Sequence, residues 1–319
     1  MEDPVSSKSA GKLAEPRHAP LTREAIAKQF KALSNWGRWG QDDELGALNM
    51  ITQEKRRAAA SLVQEGMTIS LSHDVVKRRI GVSAPFEHTM VESSETPGAD
   101  SAADVYSVQY HGYTQTHLDA LCHVFYRDSL YNGFPKTKVT GQGAECLSVL
   151  TMKDGIVSRG VLVDIPDTLG LDFLGANRPI YPEDLDAWEA VSGTKIGAGD
   201  VMIVRTGRWA REIKEGEWDI EKGSAGLHAS CLPWIRQHDI SVLASDLASD
   251  LMPSGVNGIR LPIHLVVIAA MGVPIIDNCD LEVLAEAARK RRRWEFLFIT
   301  APLAVAGGTG SPVNPLAIF

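Results

Sequence analysis

Three histidines and one aspartate lie close together in the chain, between residues 111 and 123. Two of these residues, His117 and Asp119, are two positions apart, so in an extended strand both side chains leave the same face. Their Cα atoms would then lie roughly 6–7 Å apart, near enough for both to reach one ion. Nitrogen and oxygen donors without a thiolate suit Zn²⁺ or Mn²⁺. The spacing therefore predicts that His117 and Asp119 bind a divalent metal ion, with a simple hydrogen-bonded pair as the alternative.

His111 and His123 can join this site only if the chain bends on both sides of the strand. His123 lies four residues after Asp119, which is roughly 13 Å along a continuous strand. A bend at residues 120–122 would bring His123 back, and Gly112 offers a similar bend beside His111. We predict that His111 is a further ligand and that His123 is the general acid or base that moves a proton.

Residues 116–123 resemble the His-x-Asp-x-x-x-His core of the metal-dependent cyclase family. That family includes bacterial kynurenine formamidases, isatin hydrolase and trans-dienelactone hydrolase. The resemblance runs from about residue 36 to residue 319 and includes residues 39–49 and 307–315. It implies an α/β fold, a single mixed-sheet domain of the cyclase/kynurenine formamidase type (swivelling β/β/α-like) with peripheral helices. It also implies a homodimer or homotetramer that acts on a small molecule.

The resemblance implies further site residues and contains one departure. The family's formamidases carry another histidine four residues before the second ligand, and this position is Tyr113 here. Either His111 or Gln115 takes its place, or the site holds one ion with fewer protein ligands. In the family, a histidine followed about a dozen residues later by an acidic residue closes the metal site. His264 and Asp277 are similar to that pair, although a histidine on so apolar a segment is typical of a packed core residue.

The composition argues against several classes of protein. A net charge of −8 over 319 residues is unlike that of a general nucleic-acid binder. The four cysteines are widely spaced, so neither a thiolate zinc site nor a disulfide framework is indicated, and a reducing compartment is favoured. The longest apolar run, residues 261–274, is too short to span a bilayer. Residues 1–20 lack the apolar core of a signal peptide and are predicted to be a mobile tail, so we expect a cytoplasmic protein without a membrane partner.

Strands and helices alternate in the predicted secondary structure. Apolar runs bounded by Gly, Pro or Asp predict buried strands at residues 156–165, 201–206, 240–245 and 294–300, and alternation predicts one at 67–72. Helical spacing predicts helices at residues 21–33 (with Thr22 as N-cap), 52–66, 183–191, 229–237, 262–272 and 281–293. Residues 81–104 are predicted to form a long loop over the site and residues 107–124 an extended segment. This order favours one mixed α/β domain over residues 21–319.

We expect a metal-dependent hydrolase of an amide or lactone, and the resemblance favours a cyclic substrate. A bound divalent ion lowers the pKa of water toward neutrality and stabilises the oxyanion that forms on a carbonyl. His123 would move the proton to the leaving nitrogen or oxygen. Two alternatives stay open. One is a non-catalytic binding or scaffold protein with a degraded metal site, which the Tyr113 departure favours, and the other is a cyclase that closes the ring.

Overall fold

A nine-stranded mixed β-sheet lies at the centre of the computed structural model, which describes residue 18, residues 21–80 and residues 83–319. The strands in this part of the chain are β1 (Thr68–Ser70), β2 (Glu87–Glu92), β3 (Ala103–Ser107), β4 (His117–Asp119), β5 (Val139–Thr140), β6 (Gly143–Ala144), β7 (Ile156–Asp164), β8 (Pro179–Ile180), β9 (Val201–Arg205), β10 (Gly226–Leu227), β11 (Val242–Ser245), β12 (Ile275–Asp277), β13 (Glu295–Thr300), β14 (Gly310–Pro312) and β15 (Leu316–Ile318).

The middle of the large sheet is parallel and its two sides are antiparallel. The strand order is β1-β15-β13-β7-β9-β11-β12-β4-β14. Strands β7, β9, β11 and β12 run parallel to one another, and every other pairing in this sheet is antiparallel. The short strand β4 therefore lies between β12 and β14, next to one edge of the sheet. Three smaller sheets pair β8 with β10, β2 with β3 and β5 with β6.

The four predicted core strands are confirmed as β7, β9, β11 and β13. Parallel strands that are covered on both faces are apolar along most of their length, and β9 and β11 are buried at every position. The predicted strand at residues 67–72 is present as the shorter β1. The predicted α/β class, one mixed sheet with peripheral helices, is confirmed.

All six predicted helical regions contain an α-helix. The α-helices of the described residues are α1 (Arg23–Ala32), α2 (Gln53–Ala60), α3 (Ile165–Thr168), α4 (Pro182–Ser192), α5 (Arg208–Glu215), α6 (Leu232–His238), α7 (Pro262–Ala269) and α8 (Glu282–Arg291). The predicted cap is confirmed, because the Thr22 side chain accepts a hydrogen bond from the backbone N–H of Ala25 at 3.1 Å. Helix α2 ends before its predicted end at residue 66, since the N–H groups of Glu65 and Gly66 donate to the carbonyl oxygen of Phe319 instead.

The prediction of one continuous loop at residues 81–104 is wrong at residues 87–92 and 103–104, which are strands. Strands β2 and β3 form an antiparallel hairpin there, and residues 81 and 82 lie outside the described part. Most positions of both strands are exposed, so the hairpin is held by backbone hydrogen bonds and shows no apolar alternation. The Ser-, Pro- and Gly-rich composition marks only the connection between the two strands.

The extended segment predicted at residues 107–124 is also wrong, because after Ser107, where β3 ends, it is a strand only in β4. The residues on either side of β4 form turns. Among the described residues, the helices all fall short of the length and apolarity that crossing a bilayer requires. The predicted tail at residues 1–20 lies outside the described residues except for His18, whose Nε2 lies 3.1 Å from a carboxylate oxygen of Glu183.

Candidate metal centre

Strand pairing brings three candidate ligands to one face of the sheet. His117 and Asp119 are the first and last residues of β4, so both side chains leave the same face. The antiparallel register places Asp277 of β12 directly opposite His117. Directly opposite residues on neighbouring strands share a face. The sheet itself therefore places Asp277 beside the His117–Asp119 pair.

Two turns return His111 and His123 to this face. The N–H of His123 donates to the carbonyl oxygen of Ala120 at 2.9 Å, which closes a turn directly after β4. On the other side, Gly112 has a φ of 129°, and a Cβ at this position would collide with the hydroxyl of Ser83. Both bends predicted from the sequence are confirmed. As a result, the rings of His111 and His123 stack with centroids 4.0 Å apart and an interplanar angle of 9°.

The carboxylate of Asp119 lies between four imidazoles. Its Oδ1 atom is 2.8 Å from Nδ1 of His111 and 3.5 Å from Nε2 of His117. Its Oδ2 atom is 3.8 Å from Nε2 of both His123 and His264. Two sets of possible ligand atoms result, His111–His117–Asp119 and Asp119–His264–Asp277, and the atoms of each set lie within 4.8 Å of one another. Asp119 belongs to both sets.

The outer nitrogens of His111 and His117 are held by neighbouring groups. Nε2 of His111 lies 3.0 Å from the hydroxyl of Thr309, and Nδ1 of His117 donates to the carbonyl oxygen of Gln115 at 2.8 Å. In each ring, a hydrogen bond on the outer nitrogen leaves the inner nitrogen free to bind an ion. Outer partners of this kind orient metal-binding histidines in many proteins.

His264 lies in the first turn of α7 and is held by two carboxylates. Its Nδ1 is 2.7 Å from Oδ2 of Asp250, and its Nε2 is 3.1 Å from Oδ2 of Asp277. Asp250 also accepts hydrogen bonds from the backbone N–H groups of Ile263 and His264 at 2.7 and 3.1 Å. A carboxylate at this position satisfies helix N–H groups that have no partner within the helix. Asp250 thus fixes both the helix start and the imidazole.

The charges of this cluster match a cation. Asp119, Asp250 and Asp277 are 1%, 1% and 4% exposed. Among the described residues, none of the three forms an ion pair with a lysine or arginine. Burying a carboxylate without a counter-charge costs a large free energy. Nδ1 of His111 and Oδ1 of Asp119 lie 2.8 Å apart but do not have hydrogen-bond geometry. These two atoms and Oδ1 of Asp277 form no hydrogen bond in the described part of the chain. A divalent ion would compensate the buried negative charge and bind the polar atoms that lack hydrogen bonds. The chemistry of these residues therefore fits a divalent ion.

The pKa values of two imidazoles are shifted in opposite directions. Burial lowers the pKa of His123 to about 4, although the charge of Asp119 opposes this shift. Burial also lowers the pKa of His264, but the negative charges of Asp277 and Asp250 outweigh it and hold that pKa well above its ordinary value. His123 is therefore neutral near pH 7 and can accept a proton.

Tyr113 lies outside both sets of candidate ligands. Its hydroxyl is bound by the guanidinium of Arg260, and burial raises its pKa to about 12, so it stays a neutral phenol. Of the two residues predicted to replace it, the Gln115 amide instead bonds to the backbone of Val76, with Nε2 3.1 Å from the carbonyl oxygen. His111 is the one that lies against Asp119. Gln115 contributes to the site through its backbone carbonyl, which accepts from Nδ1 of His117.

A cavity of about 590 Å³ opens beside the cluster. His123 and His264 both line it, and residues 124–127, from the turn-rich segment after β4, form part of its wall. Small-molecule sites commonly have volumes of about 300–1,000 Å³. The cavity therefore gives a small molecule access to the face on which the candidate ligands lie.

Asp250 and Thr309 are the supporting residues that the sequence analysis missed. For Asp250 a signal existed, because Asp246 and Asp250 follow the predicted buried strand that became β11, and polar groups after buried strands often face a site. For Thr309 no local signal distinguishes its hydroxyl from the other small residues of its glycine-rich loop. Its role depends on the pairing of β14 with β4, which brings residue 309 beside His111.

Comparisons with known proteins agree with this fold. The Cyclase family model, described as "Putative cyclase", matches residues 56–249. A crystal structure described as a novel cyclase is 31% identical, has a TM-score of 0.82, and the match covers 91% of this chain and 99% of that one. Isatin hydrolase A from Ralstonia solanacearum shares the fold at 18% identity with a TM-score of 0.58, covering 79% of this chain and 91% of that one.

A second isatin hydrolase A, from Labrenzia aggregata and bound to benzyl benzoate, is 19% identical with a TM-score of 0.55, and the match covers 81% of this chain and 94% of that one. A search of curated proteins gave no match. The family model covers more than half of the chain, and the novel cyclase is more than 30% identical over nearly its whole length. The resemblance noted in the sequence is therefore confirmed, and the chain belongs to the cyclase family.

Proposed function

We propose that this protein is a metal-dependent hydrolase that opens an amide or lactone, and that its substrate is cyclic. One observation carries the proposal: among the described residues, buried carboxylates without a lysine or arginine partner and inward-facing imidazoles surround a common space beside a substrate-sized cavity. Membership of the cyclase family and the shared fold of two isatin hydrolases support the hydrolase class.

His111, His117 and Asp119, together with His264 and Asp277, are the residues that would hold the ion. When bound there, a Zn²⁺ or Mn²⁺ ion would acidify water and stabilise negative charge on a carbonyl oxygen. The hydrogen bonds to the outer ring nitrogens keep the inner nitrogens directed at this space, so little reorganisation is needed.

His123 is the proton carrier in this proposal. Its imidazole is neutral near pH 7, lines the cavity and lies 3.8 Å from the Asp119 carboxylate, which would stabilise the imidazolium that forms. It would accept a proton from the water that attacks the carbonyl carbon. As the carbon–nitrogen or carbon–oxygen bond breaks, the same proton would pass to the leaving atom, so one residue would act first as base and then as acid.

The non-catalytic alternative rested on the Tyr113 departure, and it loses that support because His111 lies 2.8 Å from Asp119. Ring closure would use the same groups in reverse order, and no observation favours it over ring opening.

The test is a substrate screen with the metal controlled. The chelated and dialysed full chain, with and without added Zn²⁺ or Mn²⁺, would be assayed on aryl formamides, isatin-like lactams and unsaturated lactones. We expect hydrolysis of at least one cyclic compound only when the ion is restored. Hydrolysis that is equally fast in the chelated protein would remove the metal from the mechanism.

A further inference from the structure

The wall of the cavity beside the candidate metal centre is positively charged. Among the described residues it includes three arginines, Arg23, Arg127 and Arg260, and no aspartate or glutamate. The protein as a whole has a net charge of −8. The positive charge is therefore a local feature of this cavity in an otherwise acidic protein. It attracts anions to the cavity.

Two of these arginines have no carboxylate partner among the described residues. The guanidinium of Arg127 lies over the ring of Tyr126, 5.2 Å from its centroid. Arg23 donates to the carbonyl oxygen of Gly258 at 2.8 Å. Neither forms an ion pair within the described part of the chain. Arg260 differs, since it is paired with Glu221 at 2.5 Å. Arg127 and Arg23 thus keep their charge and most of their N–H donors available.

The backbone holds Arg127 at the tip of a tight turn. Tyr126 and Ser129 exchange two backbone hydrogen bonds, at 2.9 and 3.1 Å, on either side of it. Arg127 has a φ of 56°, in the left-handed region that residues other than glycine rarely adopt. Such conformations persist where the surrounding structure imposes them, and they are frequent at binding sites. The turn fixes the backbone of Arg127 at the wall of the cavity.

The rest of the wall is largely apolar. Residues of α1, of the segment after β4, of the segment before α7 and of α7 itself contribute, and they include Ile26, Val124, Phe125, Ile259, Leu261 and Leu265. A ligand that matches this wall has an apolar body and a negative group. His123 and His264 line the same cavity, so the body of the ligand lies within reach of the candidate metal centre.

We propose that the amide or lactone substrate carries a carboxylate on its apolar body, and that Arg127, supported by Arg23, binds this carboxylate. The inference rests on the proposed function for the statement that the ligand is a substrate. It makes Arg127 a specificity-determining residue, because a guanidinium binds a carboxylate through two parallel hydrogen bonds that a neutral analogue cannot form.

The first test is binding, measured by calorimetry on the full chain loaded with Zn²⁺. The probes are benzoate and benzamide, which have similar shapes and differ in charge. Benzoate should bind at least tenfold more tightly. Arg127→Ala should weaken benzoate binding about 10- to 100-fold, the range for a hydrogen bond to a charged group. Arg127→Lys should lose less, and Arg56→Ala, an exposed arginine on α2, should bind benzoate like the unchanged protein.

Two results would overturn the inference. One is equal affinity for benzoate and benzamide. The other is a preference for benzoate that persists unchanged in both Arg127→Ala and Arg23→Ala, because the metal and not the arginines would then hold the anion.

The second test separates this inference from the proposed function. N-formylanthranilate and formanilide are aryl formamides with and without a carboxylate. The ratio of their kcat/KM values should favour the acid and should fall at least tenfold in Arg127→Ala, mainly through KM. Hydrolysis without a preference for the acid would contradict the inference and leave the function standing. Arginine-dependent benzoate binding without hydrolysis of any amide or lactone would contradict the proposed function and leave the carboxylate-binding role of Arg127 standing.

Discussion

Nδ1 of His264 lies 2.7 Å from Oδ2 of Asp250, while the opposite nitrogen of the same ring, Nε2, lies 3.1 Å from Oδ2 of Asp277. The ring is therefore held from behind by one carboxylate and directed at the other. Asp250 also accepts from two N–H groups at the start of α7. The same carboxylate holds the start of the helix and orients the imidazole. A substitution of Asp250 should therefore affect both the stability of the protein and its affinity for the metal.

We predict that Asp250→Ala lowers the free energy of unfolding by about 2–3 kcal/mol, because two buried helix N–H groups and the ring lose their acceptor. Asp250→Asn keeps an acceptor and should lose less stability. Both variants should bind Zn²⁺ about 10- to 100-fold more weakly, the usual effect of removing a partner behind a metal-binding histidine. Chemical denaturation and metal titration measure the two effects. Unchanged Zn²⁺ affinity in both variants would exclude His264 as a ligand.

His111 and Gln115 are distinguished by a matched pair of variants. His111 lies 2.8 Å from Asp119, while the Gln115 amide bonds to the backbone of Val76. We expect His111→Ala to lose most of its Zn²⁺ affinity and to keep its fold. Gln115→Ala should retain the metal and become less stable by about 1–3 kcal/mol, because a buried carbonyl oxygen loses its partner. The opposite pattern of metal contents would assign the ligand to Gln115.

His123 is predicted to act on the proton rather than on the metal. His123→Ala should keep its metal content and lower kcat by about 10²- to 10⁴-fold, the range for removing a general acid or base. The metal content of the purified variant and its turnover are measured on the same sample. Release of the metal from His123→Ala would show that this residue is a ligand.

Gly112 is predicted to be necessary for the position of His111. Gly112→Ala would place a Cβ against the hydroxyl of Ser83 and would strain a backbone with a φ of 129°. We expect a loss of about 1–3 kcal/mol of stability together with weaker Zn²⁺ binding. Gly141→Ala is the control, since a Cβ at Gly141 meets nothing within 4 Å and its φ is not in the left-handed region. Equal stability of the two variants would contradict this role.

The parts of the structure that could be predicted from the sequence depend on neighbours in the chain. The period of two residues in a strand places His117 and Asp119 on one face, and the buried runs of β7, β9, β11 and β13 are apolar over their own length. Gly112 likewise marks the bend beside His111. In each case, residues a few positions apart carry the information.

The parts that the sequence did not reveal depend on distant pairing. Asp277 was predicted only through the family resemblance, because it meets His117 through the register of β12 on β4, which no local pattern encodes. The hairpin of β2 and β3 has exposed strands, so the apolar alternation that indicates a strand is missing. Arg127 and Arg23 face one cavity only because α1 packs near the segment that follows β4. Residues 1–17, 19 and 20 lie outside the described residues, and their predicted mobility stays a prediction.

The central claim is that the imidazole of His117 and the carboxylate of Asp119 hold a divalent ion. The most direct measurement is the metal content of three full-length proteins after saturation with Zn²⁺ and dialysis: the unchanged chain, His117→Ala, and His88→Ala as a control at an imidazole outside the cluster. We predict at least one Zn²⁺ per chain in the unchanged protein and in His88→Ala, and a loss of most of it in His117→Ala. A folded His117→Ala protein that retains the full metal content would contradict the claim.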